Sequence, residues 1–524
     1  MREKFGDGEG SYGTVCMSIG LTRPYLVGIG GCGMSALARL LREDGASASG
    51  SDSKRTAVTD GLESSGIAVG FEQTAEALPE EIDGVIVSAA IRPDHPQVLA
   101  AQERGLPVYT YAEALGRCMA GRTGVSIAGT HGKSTTTAML GCVLADAGLD
   151  PGVIVGASCA QLARGALAEG VRRVPGQAGF RLGAKTVPEG GYEGRPGFLL
   201  AEACEFNRSF HHHRPVIGAV MNVEADHLDI YGSLDAVVEA FAGFAALLPD
   251  ASEGGRLLIG HDGAHRREIT AGLSCAVETI GYSPSADWVV GYDAQTGCVS
   301  LEGMAGAEVP VQVSWTNAMP GEHNAMNAAV AAALAIGMGA DAETVGRSLS
   351  AFRGLDRRMQ DLGARTLAGG GSVRIFDDYG HHPTEIDATL RALRQSAVEE
   401  GGRLVCVFQP HQHSRTRFLL DEFATSFEQA DVVIVPQIYF VRDSEAEKQK
   451  VSAADLVDRL RSRGVRAMHL HPFGAIVEAL EHVCRPRDVV VVMGAGPVWE
   501  IARDFAAAGE PGRDQADLGS VAAG

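Results

Sequence analysis

The sequence predicts an α/β protein of three domains, and three observations carry this prediction. Short β-branched runs alternate with alanine- and leucine-rich stretches of helical length, which is typical of parallel sheets with crossover helices. Glycine-rich turns near residues 28, 129 and 494 each follow such a run and precede a helical stretch. The 524 residues allow roughly two to four domains of about 100–200 residues each.

The elements follow in chain order, and the joints between domains are placed where the pattern changes. The predicted strands include residues 25–29, 85–87, 125–128, 198–201, 216–223, 373–376, 404–408, 432–435 and 489–493. We expect an N-terminal extension at 1–23, a first domain at 24–121, a central domain at 122–350, a C-terminal domain at 351–508 and a flexible tail at 509–524. Residues 165–197 scatter Gly and Pro among charges, which predicts a surface insertion.

Composition excludes several classes of protein. Apolar residues make up 45% of the chain and the 67 glycines follow no G-X-Y repeat, so neither a disordered nor a collagen-like chain is predicted. The formal charge of −20 argues against a nucleic-acid partner. The ten cysteines form no C-x-x-C pair, and no apolar run is long enough for a membrane span. We expect a cytoplasmic monomer or homodimer without nucleic-acid or membrane partners.

The first glycine-rich turn matches the G-x-G-x-x-G pattern between a strand and a helix. Its glycines are Gly28, Gly30, Gly31 and Gly33, and Asp52 follows about twenty residues later. Backbone N–H groups at such a turn bind a diphosphate, and Asp52 could accept a hydrogen bond from a ligand hydroxyl or base. The alternative is a tight turn without a ligand. A dinucleotide and a nucleotide-sugar diphosphate fit the pattern equally.

The second turn is a shortened phosphate loop, G-T-H-G-K-S-T, at residues 129–135. Ile127 stands where the usual loop has its outer glycine, but the other phosphate-binding residues of the loop are present. Gly129 and Gly132 expose N–H groups, while Lys133 can reach the β- and γ-phosphates of a nucleotide. Ser134 can bind Mg²⁺. Two phosphate-binding turns indicate two phosphorylated ligands, which a simple NAD-dependent oxidoreductase would not need.

Polar residues also gather after other predicted strands. Asn324 and Asn327 share one helix face and could contact an adenine edge, or could simply cap the helix. The segments 221–229, 377–385 and 408–417 carry carboxylates, imidazoles and guanidiniums suited to a carboxylate or a phosphoryl group. The consecutive histidines 211–213 predict a partly exposed patch, because adjacent residues do not converge on one ion.

In this order, the motifs GIGGCGM, GTHGKSTT, NVEADHLD, PGEHNAMNA, FRGLDRR, DDYGHHPTEI and FQPHQHSRT resemble those of the Mur ligase family. The resemblance spans about residues 25–496. It implies a Rossmann-like UDP-sugar-binding domain, a central P-loop ATPase domain and a C-terminal Rossmann-like domain. It also implies that ATP phosphorylates the lactyl carboxylate of UDP-N-acetylmuramic acid, whose acyl phosphate is then attacked by an amino acid. Two motifs, DDYGHHPTE and FQPH-x-x-[ST]-R-T, are most similar to members that add L-alanine; members that reattach a recycled tripeptide are the alternative.

The resemblance assigns roles by matched position, with ATP and two Mg²⁺ ions as cofactors. The implied ATP-binding residues are Gly129, Thr130, Gly132, Lys133, Ser134, Thr135, Asn324, Asn327, Arg358 and Asp377. The implied metal ligands are Ser134, Glu202 and His227. The implied catalytic residues are Lys133, His131, His227, Glu202, His381 and Arg415. Gly28, Gly30, Gly31, Gly33 and Asp52 would bind the UDP-sugar, and Tyr379, His381 and Arg415 the amino acid.

Two departures from the family pattern affect these roles. Gln412 stands where the family usually has a second arginine, so either Arg417 or another group compensates, or alanine binds weakly. Residues 203–207 read A-C-E-F-N where relatives commonly have A-D-E-S-D, which leaves the role of Glu205 open. A non-catalytic nucleotide-sugar sensor is a further alternative, against which the intact Lys133, Ser134 and His227 argue.

Overall fold

The computed structural model describes residues 19–168, 179–304, 310–398, 401–441 and 443–508. Most of the predicted N-terminal extension and the whole predicted tail lie outside these residues. The chain separates into two compact units, with the division after Gly121. None of the helices in the described part of the chain has the length and apolar character needed to cross a membrane.

The first unit is a parallel five-stranded sheet in the order β3-β2-β1-β4-β5. Its elements are β1 (Pro24–Val27), α1 (Cys32–Glu43), β2 (Ser49–Ser51), α2 (Ala57–Ser64), β3 (Ala68–Gly70), β4 (Gly84–Val87), α3 (Pro96–Glu103), β5 (Val108–Thr110) and α4 (Tyr111–Ala120). The strand order reverses on either side of β1, which is where open α/β sheets bind ligands. The first glycine-rich turn follows β1 directly.

The second unit begins with a ten-stranded sheet in the order β15-β14-β13-β12-β11-β10-β6-β9-β7-β8. Its strands are β6 (Thr123–Ala128), β7 (Gly152–Val155), β8 (Gly179–Arg181), β9 (Phe198–Ala203), β10 (Ile217–Val220), β11 (Arg256–Gly260), β12 (Ala276–Gly281), β13 (Trp288–Asp293), β14 (Cys298–Gly303) and β15 (Val311–Thr316). The helices are α5 (Lys133–Asp146), α6 (Leu228–Tyr231), α7 (Leu234–Ala245), α8 (Arg266–Thr270), α9 (Glu322–Gly337) and α10 (Ala342–Ala351). Strands β6, β9 and β10 are parallel neighbours, so their carboxyl ends meet at one edge.

The expectation that residues 165–197 form a surface insertion is corrected by the described part of this segment. Strand β8 pairs antiparallel with β7 and so extends the central sheet. Val187 is only 1% exposed and belongs to the central core. Glycines and prolines therefore accompany an edge strand here rather than a segment that leaves the core untouched.

The second unit ends with a six-stranded sheet in the order β16-β17-β21-β18-β19-β20. Its strands are β16 (Gln360–Thr366), β17 (Ser372–Asp378), β18 (Leu404–Phe408), β19 (Val432–Val435), β20 (Ala467–His469) and β21 (Val489–Met493). The helices are α11 (Pro383–Ser396), α12 (His413–Phe418), α13 (Leu420–Thr425), α14 (Glu445–Lys448), α15 (Ala453–Ser462), α16 (Phe473–Val483) and α17 (Trp499–Ala507). Apart from the antiparallel β16, its strands are parallel.

The three sheets confirm the predicted three-domain α/β fold. Parallel strands whose two faces are both covered by helices tend to be apolar, β-branched runs. In the middle strands β17, β18 and β21 this produces fully buried runs such as Leu404–Phe408 and Val489–Met493. The exact domain boundaries stay predictions.

Candidate active site

The glycine-rich turn of the first unit is hydrogen-bonded to the last residue of β2, Ser51. The N–H groups of Gly28 and Ile29 both donate to the Ser51 carbonyl oxygen, at 2.8 and 3.0 Å. Asp52 Oδ2 accepts the Gly30 N–H at 2.8 Å, and a β-carbon at Gly30 would lie 2.8 Å from the same oxygen. The structure thus brings Asp52 and the turn together. Besides its predicted contact with the ligand, Asp52 stabilises the turn through this hydrogen bond.

The phosphate loop lies between β6 and α5, as predicted. Gly132 has φ of +83°, and a β-carbon there would lie 2.3 Å from Asn327 Oδ1, so the loop tolerates only glycine at this point. Lys133 Nζ donates to the carbonyl oxygens of Gly129 and Thr130 and to Glu205 Oε2, the last at 2.8 Å. The ammonium group is therefore fixed at the mouth of its own loop.

Charge outweighs burial at Lys133. Burial lowers the pKa of Lys133, but the nearby Glu205 carboxylate, with help from Cys204 and Glu202, raises it to about 12. A buried lysine that keeps its proton is what phosphate binding requires.

The predicted metal ligands are divided between two places. Ser134 Oγ donates to Glu202 Oε2 at 2.5 Å, and Gly156 N–H donates to the other oxygen of Glu202 at 2.6 Å. His227 instead lies with Glu205 and Asp226, whose ligand atoms are all within 4.8 Å of one another. Glu205, whose role the sequence left open, thus contacts Lys133 and shares the His227 cluster.

His131 lies between two carboxylates that the sequence analysis did not single out. Its Nδ1 is 3.2 Å from Glu385 Oε1, and its Nε2 is 3.5 Å from Glu224 Oε2. Burial lowers the pKa of His131, but the two carboxylates outweigh it and raise the pKa to about 9. Both carboxylates stand within family-like motifs, NVEADHLD and DDYGHHPTE, and that was the only signal for them.

A cavity of about 200 Å³ opens between the phosphate loop and the C-terminal sheet. Five predicted ATP-binding residues line it: Gly132, Thr135, Asn324, Asn327 and Arg358. The amide groups of the two asparagines are linked, because Asn327 Nδ2 donates to Asn324 Oδ1 at 3.3 Å. Asn324 Nδ2 in turn donates to the Pro320 carbonyl at 2.9 Å, so the pair also secures the start of α9.

Asp377 was predicted to bind ATP, but Asp378 is the aspartate in the cavity wall. Successive residues of a strand face opposite sides, and β17 turns Asp378 towards the cavity. Its oxygens accept the N–H groups of Met359 and Gly380 at 2.7 and 2.6 Å. Burial raises the pKa of Asp378 to about 6. Asp377 lies 3.8 Å from Arg357.

The residues predicted to hold the amino acid also come together. The ring centroids of Tyr379 and His381 are 5.5 Å apart. The backbone N–H of His381 donates to Glu385 Oε2 at 2.9 Å. Arg415 donates from Nη2 to Asp226 Oδ1 at 2.9 Å and lies 3.2 Å from His411 Nδ1. Burial lowers the pKa of His381 to about 4, so its ring is neutral near pH 7.

Arg417, which could compensate for the missing second arginine, is paired with another carboxylate in this structure. Its Nε donates to Glu447 Oε2 at 3.0 Å, and its guanidinium stacks over the Phe418 ring at 4.1 Å. Gln412 itself is 4% exposed and precedes α12 with φ of +69°. The carboxylate of Glu447 already satisfies Arg417, which leaves Arg415 as the guanidinium among the residues predicted to hold the amino acid.

The expected surface patch of three histidines is wrong in part. His213 is 3% exposed, and its Nδ1 lies 2.9 Å from Ser126 Oγ beneath the central sheet. Burial lowers its pKa to about 4. His211 Nε2 lies 2.8 Å from the Ala240 carbonyl, so only His212 remains exposed. These side chains serve packing.

Comparisons with known proteins cover nearly the whole chain. Models described as the Mur ligase family catalytic domain, the Mur ligase middle domain and the Mur ligase glutamate ligase domain match residues 24–123, 127–335 and 357–496. The UDP-N-acetylmuramate–L-alanine ligase of Agathobacter rectalis is 35% identical over 92% of this chain and 97% of its own length. The enzyme of the same name from Sorangium cellulosum is 36% identical over 92% of this chain and 95% of its own.

Among solved structures, the UDP-N-acetylmuramate-alanine ligase of Thermotoga maritima superposes with a TM-score of 0.70. It is 23% identical and covers 93% of this chain and 98% of its own, so the likeness concerns the fold. The family models and relatives of this identity and coverage agree with the phosphate loop and with the cavity beside it. The chain therefore belongs to the Mur ligase family.

Proposed function

We propose that the protein is an ATP-dependent ligase that adds L-alanine to the lactyl carboxylate of UDP-N-acetylmuramic acid in peptidoglycan precursor synthesis. The observation that carries this proposal is the cavity that joins the phosphate loop to Arg358 and Glu385 of the C-terminal domain. The relatives from Agathobacter rectalis and Sorangium cellulosum support alanine as the amino acid rather than a recycled tripeptide. The enzyme acts in the cytoplasm, as a monomer or homodimer.

ATP binds with its phosphates at the loop and its adenosine towards α9. Lys133 is held by two loop carbonyls and Glu205, so its ammonium can turn to the β- and γ-phosphates without leaving the loop. Arg358 lines the same cavity and contacts a phosphate, while Asn324 and Asn327 face the adenine. Asp378 takes the ribose contact that the sequence analysis assigned to Asp377. His131, positively charged near pH 7, adds a cation beside the γ-phosphate.

The donor sets fit two Mg²⁺ ions. Ser134 and Glu202 supply a hydroxyl and a carboxylate oxygen for one ion, and Glu205, Asp226 and His227 supply two carboxylates and an imidazole for the other. When bound, Mg²⁺ offsets the negative charge between the sugar's carboxylate and the γ-phosphate. We assign the second ion to Glu205 rather than Glu202 because Glu205 is the glutamate that clusters with His227.

In the first step ATP phosphorylates the lactyl carboxylate of the sugar. In the second step the L-alanine amine attacks this acyl phosphate, which releases phosphate and forms the amide. Arg415 is oriented by Asp226 and His411, so its guanidinium is ready to bind the alanine carboxylate. The neutral ring of His381 accepts a hydrogen bond from the amine, and Tyr379 packs beside it. Most of the rate enhancement then comes from holding amine and acyl phosphate together.

The test is ADP release by purified protein with ATP, Mg²⁺ and UDP-N-acetylmuramic acid. We expect turnover that depends on L-alanine, with glycine and L-serine as poorer substrates. Turnover with a tripeptide alone would move the protein to the recycling ligases. Binding of the sugar nucleotide without any ADP release would make it a sensor.

A further inference from the structure

Three side chains converge beside the nucleotide cavity, each with one possible ligand atom facing the others. His131 Nε2 lies 3.5 Å from Glu224 Oε2, and His382 Nδ1 lies 4.0 Å from the same oxygen. All three ligand atoms are within 4.8 Å of one another. His131 and Glu224 lie in the loops after β6 and β10 of the central sheet, and His382 is the residue before α11.

The other nitrogen of each ring is already bound to an acceptor. His131 Nδ1 lies 3.2 Å from Glu385 Oε1, and His382 Nε2 lies 3.3 Å from the Ala225 carbonyl oxygen. In the ion-free protein His131 is protonated and its Nε2–H faces Glu224; a bound dication would take the place of that proton and use the Nε2 lone pair. Within the described residues His131 Nε2 is buried and makes no hydrogen bond, and His382 Nδ1 caps α11 by accepting the Thr384 N–H at 3.4 Å and the Glu385 N–H.

Three ligand atoms that face one point, one of them the buried Nε2 of His131, offer a cation a place between them. Ligands at about 2.0–2.1 Å from a tetrahedral metal ion lie roughly 3.4 Å apart; His131 and Glu224 are near this separation, and His382 would move closer to Glu224 when an ion binds. A carboxylate or a backbone carbonyl behind each ligating histidine is also the usual outer shell of such sites. Imidazole nitrogens favour zinc-like ions over Mg²⁺.

We propose that His131, Glu224 and His382 form a binding site for a transition-metal dication of the Zn²⁺ class. The site is separate from the Mg²⁺ positions, which have a single histidine, His227. It has three protein ligands, so a fourth position remains for water or an anion. Because Glu224 follows β10 of the central sheet and His382 precedes α11 of the C-terminal domain, a bound ion ties the phosphate loop to the start of α11.

The experiment measures Zn²⁺ binding to metal-free, full-length protein by titration calorimetry, without ATP or sugar nucleotide and with excess Mg²⁺. We expect Glu224→Gln and His382→Gln each to weaken Zn²⁺ binding at least tenfold. Glu385→Gln, which removes the acceptor behind His131, should weaken it by about 10–100-fold. The matched control is His265→Gln, since His265 pairs with Glu268 away from the cluster. Equal Zn²⁺ affinity in the wild type and the cluster variants would overturn the proposal.

A second measurement uses only the wild-type protein and is independent of how the variants fold. X-ray absorption of the protein loaded with one equivalent of Zn²⁺ should show two imidazole nitrogens in the first shell. A shell with one imidazole would place the ion at His227, and a shell of oxygens alone would place it on surface carboxylates; either result rejects the site. Neither readout depends on ligase turnover, so failure here leaves the proposed function standing.

Discussion

Glu205 connects the proposed nucleotide and metal chemistry at the scale of a single residue. Its carboxylate binds Lys133 Nζ at 2.8 Å and lies within the cluster of Asp226 and His227. It also keeps Lys133 protonated although the ammonium is buried. A neutral amide would lose both effects while keeping nearly the same shape.

We therefore expect Glu205→Gln to raise the Mg²⁺ concentration for half-maximal activity at least tenfold and to lower kcat. Initial rates of ADP release across a Mg²⁺ series measure both. The control is Glu239→Gln on the exposed side of α7, which should behave as the wild type. An unchanged Mg²⁺ dependence in Glu205→Gln would return the assignment to Glu202.

Gln412 bears on the affinity for the amino acid. A charge-assisted bond to a carboxylate contributes about 1.5–3 kcal/mol, so Gln412→Arg should lower the KM for L-alanine, by tenfold or more if the bond forms fully. Arg417→Gln is the matched control and should leave this KM unchanged, because Arg417 is bound to Glu447. Steady-state kinetics at saturating ATP measure both variants, and an equal or higher KM in Gln412→Arg would count against the position.

His131 links pH to the contact between the central and C-terminal sheets. Its pKa rises from 6.5 to about 9 in the folded protein, so the stabilisation is complete below pH 6.5 and is lost as pH rises through 9. The maximum is about 3 kcal/mol. An NMR titration of the His131 ring should give a midpoint well above 7, and Glu385→Gln should lower it. A wild-type midpoint near 6.5 would contradict the two-carboxylate arrangement.

At the scale of elements, local patterns were enough to predict nine of the strands and the phosphate loop, but not short strands such as β2 (Ser49–Ser51), which has no apolar run. The loop was recognisable because strand, glycines and helix are neighbours in sequence, and the same holds for the turn after β1. Contacts between residues far apart in sequence were not predictable. Glu385 and His131 are 254 residues apart, and no local pattern in the sequence indicates that they meet. Near neighbours are also hard to separate from sequence: Asp378 lines the cavity beside Asp377, and Glu205 clusters with His227 near Glu202, while the roles given to Asp377 and Glu202 stay predictions.

The loop that opens α5 also depends on α9. A β-carbon at Gly132 would lie 2.3 Å from Asn327 Oδ1, and φ there is +83°. Gly132→Ala should therefore displace the loop or Asn327 and lower kcat/KM for ATP by about 100-fold or more. Gly121→Ala is the matched control, because φ is −93° and nothing lies within 4 Å of an added β-carbon. Wild-type kinetics in Gly132→Ala would show that the loop is not held against α9.

At the scale of the whole molecule, buried histidines set the response to acid. Burial holds the pKa of His213, His323 and His381 at about 4, so these rings are neutral in the folded protein. In the unfolded chain they take up protons near pH 6.5. Because the unfolded state then binds more protons, stability falls as pH drops from 6.5 towards 4. His131 acts in the opposite direction at alkaline pH, so the second unit should be most stable near pH 6.5.

Each buried neutral histidine contributes a slope of up to about 1.4 kcal/mol per pH unit in this acid range. We expect the urea midpoint of the second unit to fall steadily between pH 6.5 and 4.5, before most of its carboxylates titrate. His213→Gln should reduce the slope of stability against pH by about the contribution of one histidine. A glutamine amide can still form a hydrogen bond with Ser126 Oγ, but it takes up no proton. His265→Gln, at an exposed ion pair, should leave the slope as it is. A urea midpoint independent of pH over this range would mean that the three rings are charged in the folded protein, which burial at a lowered pKa forbids.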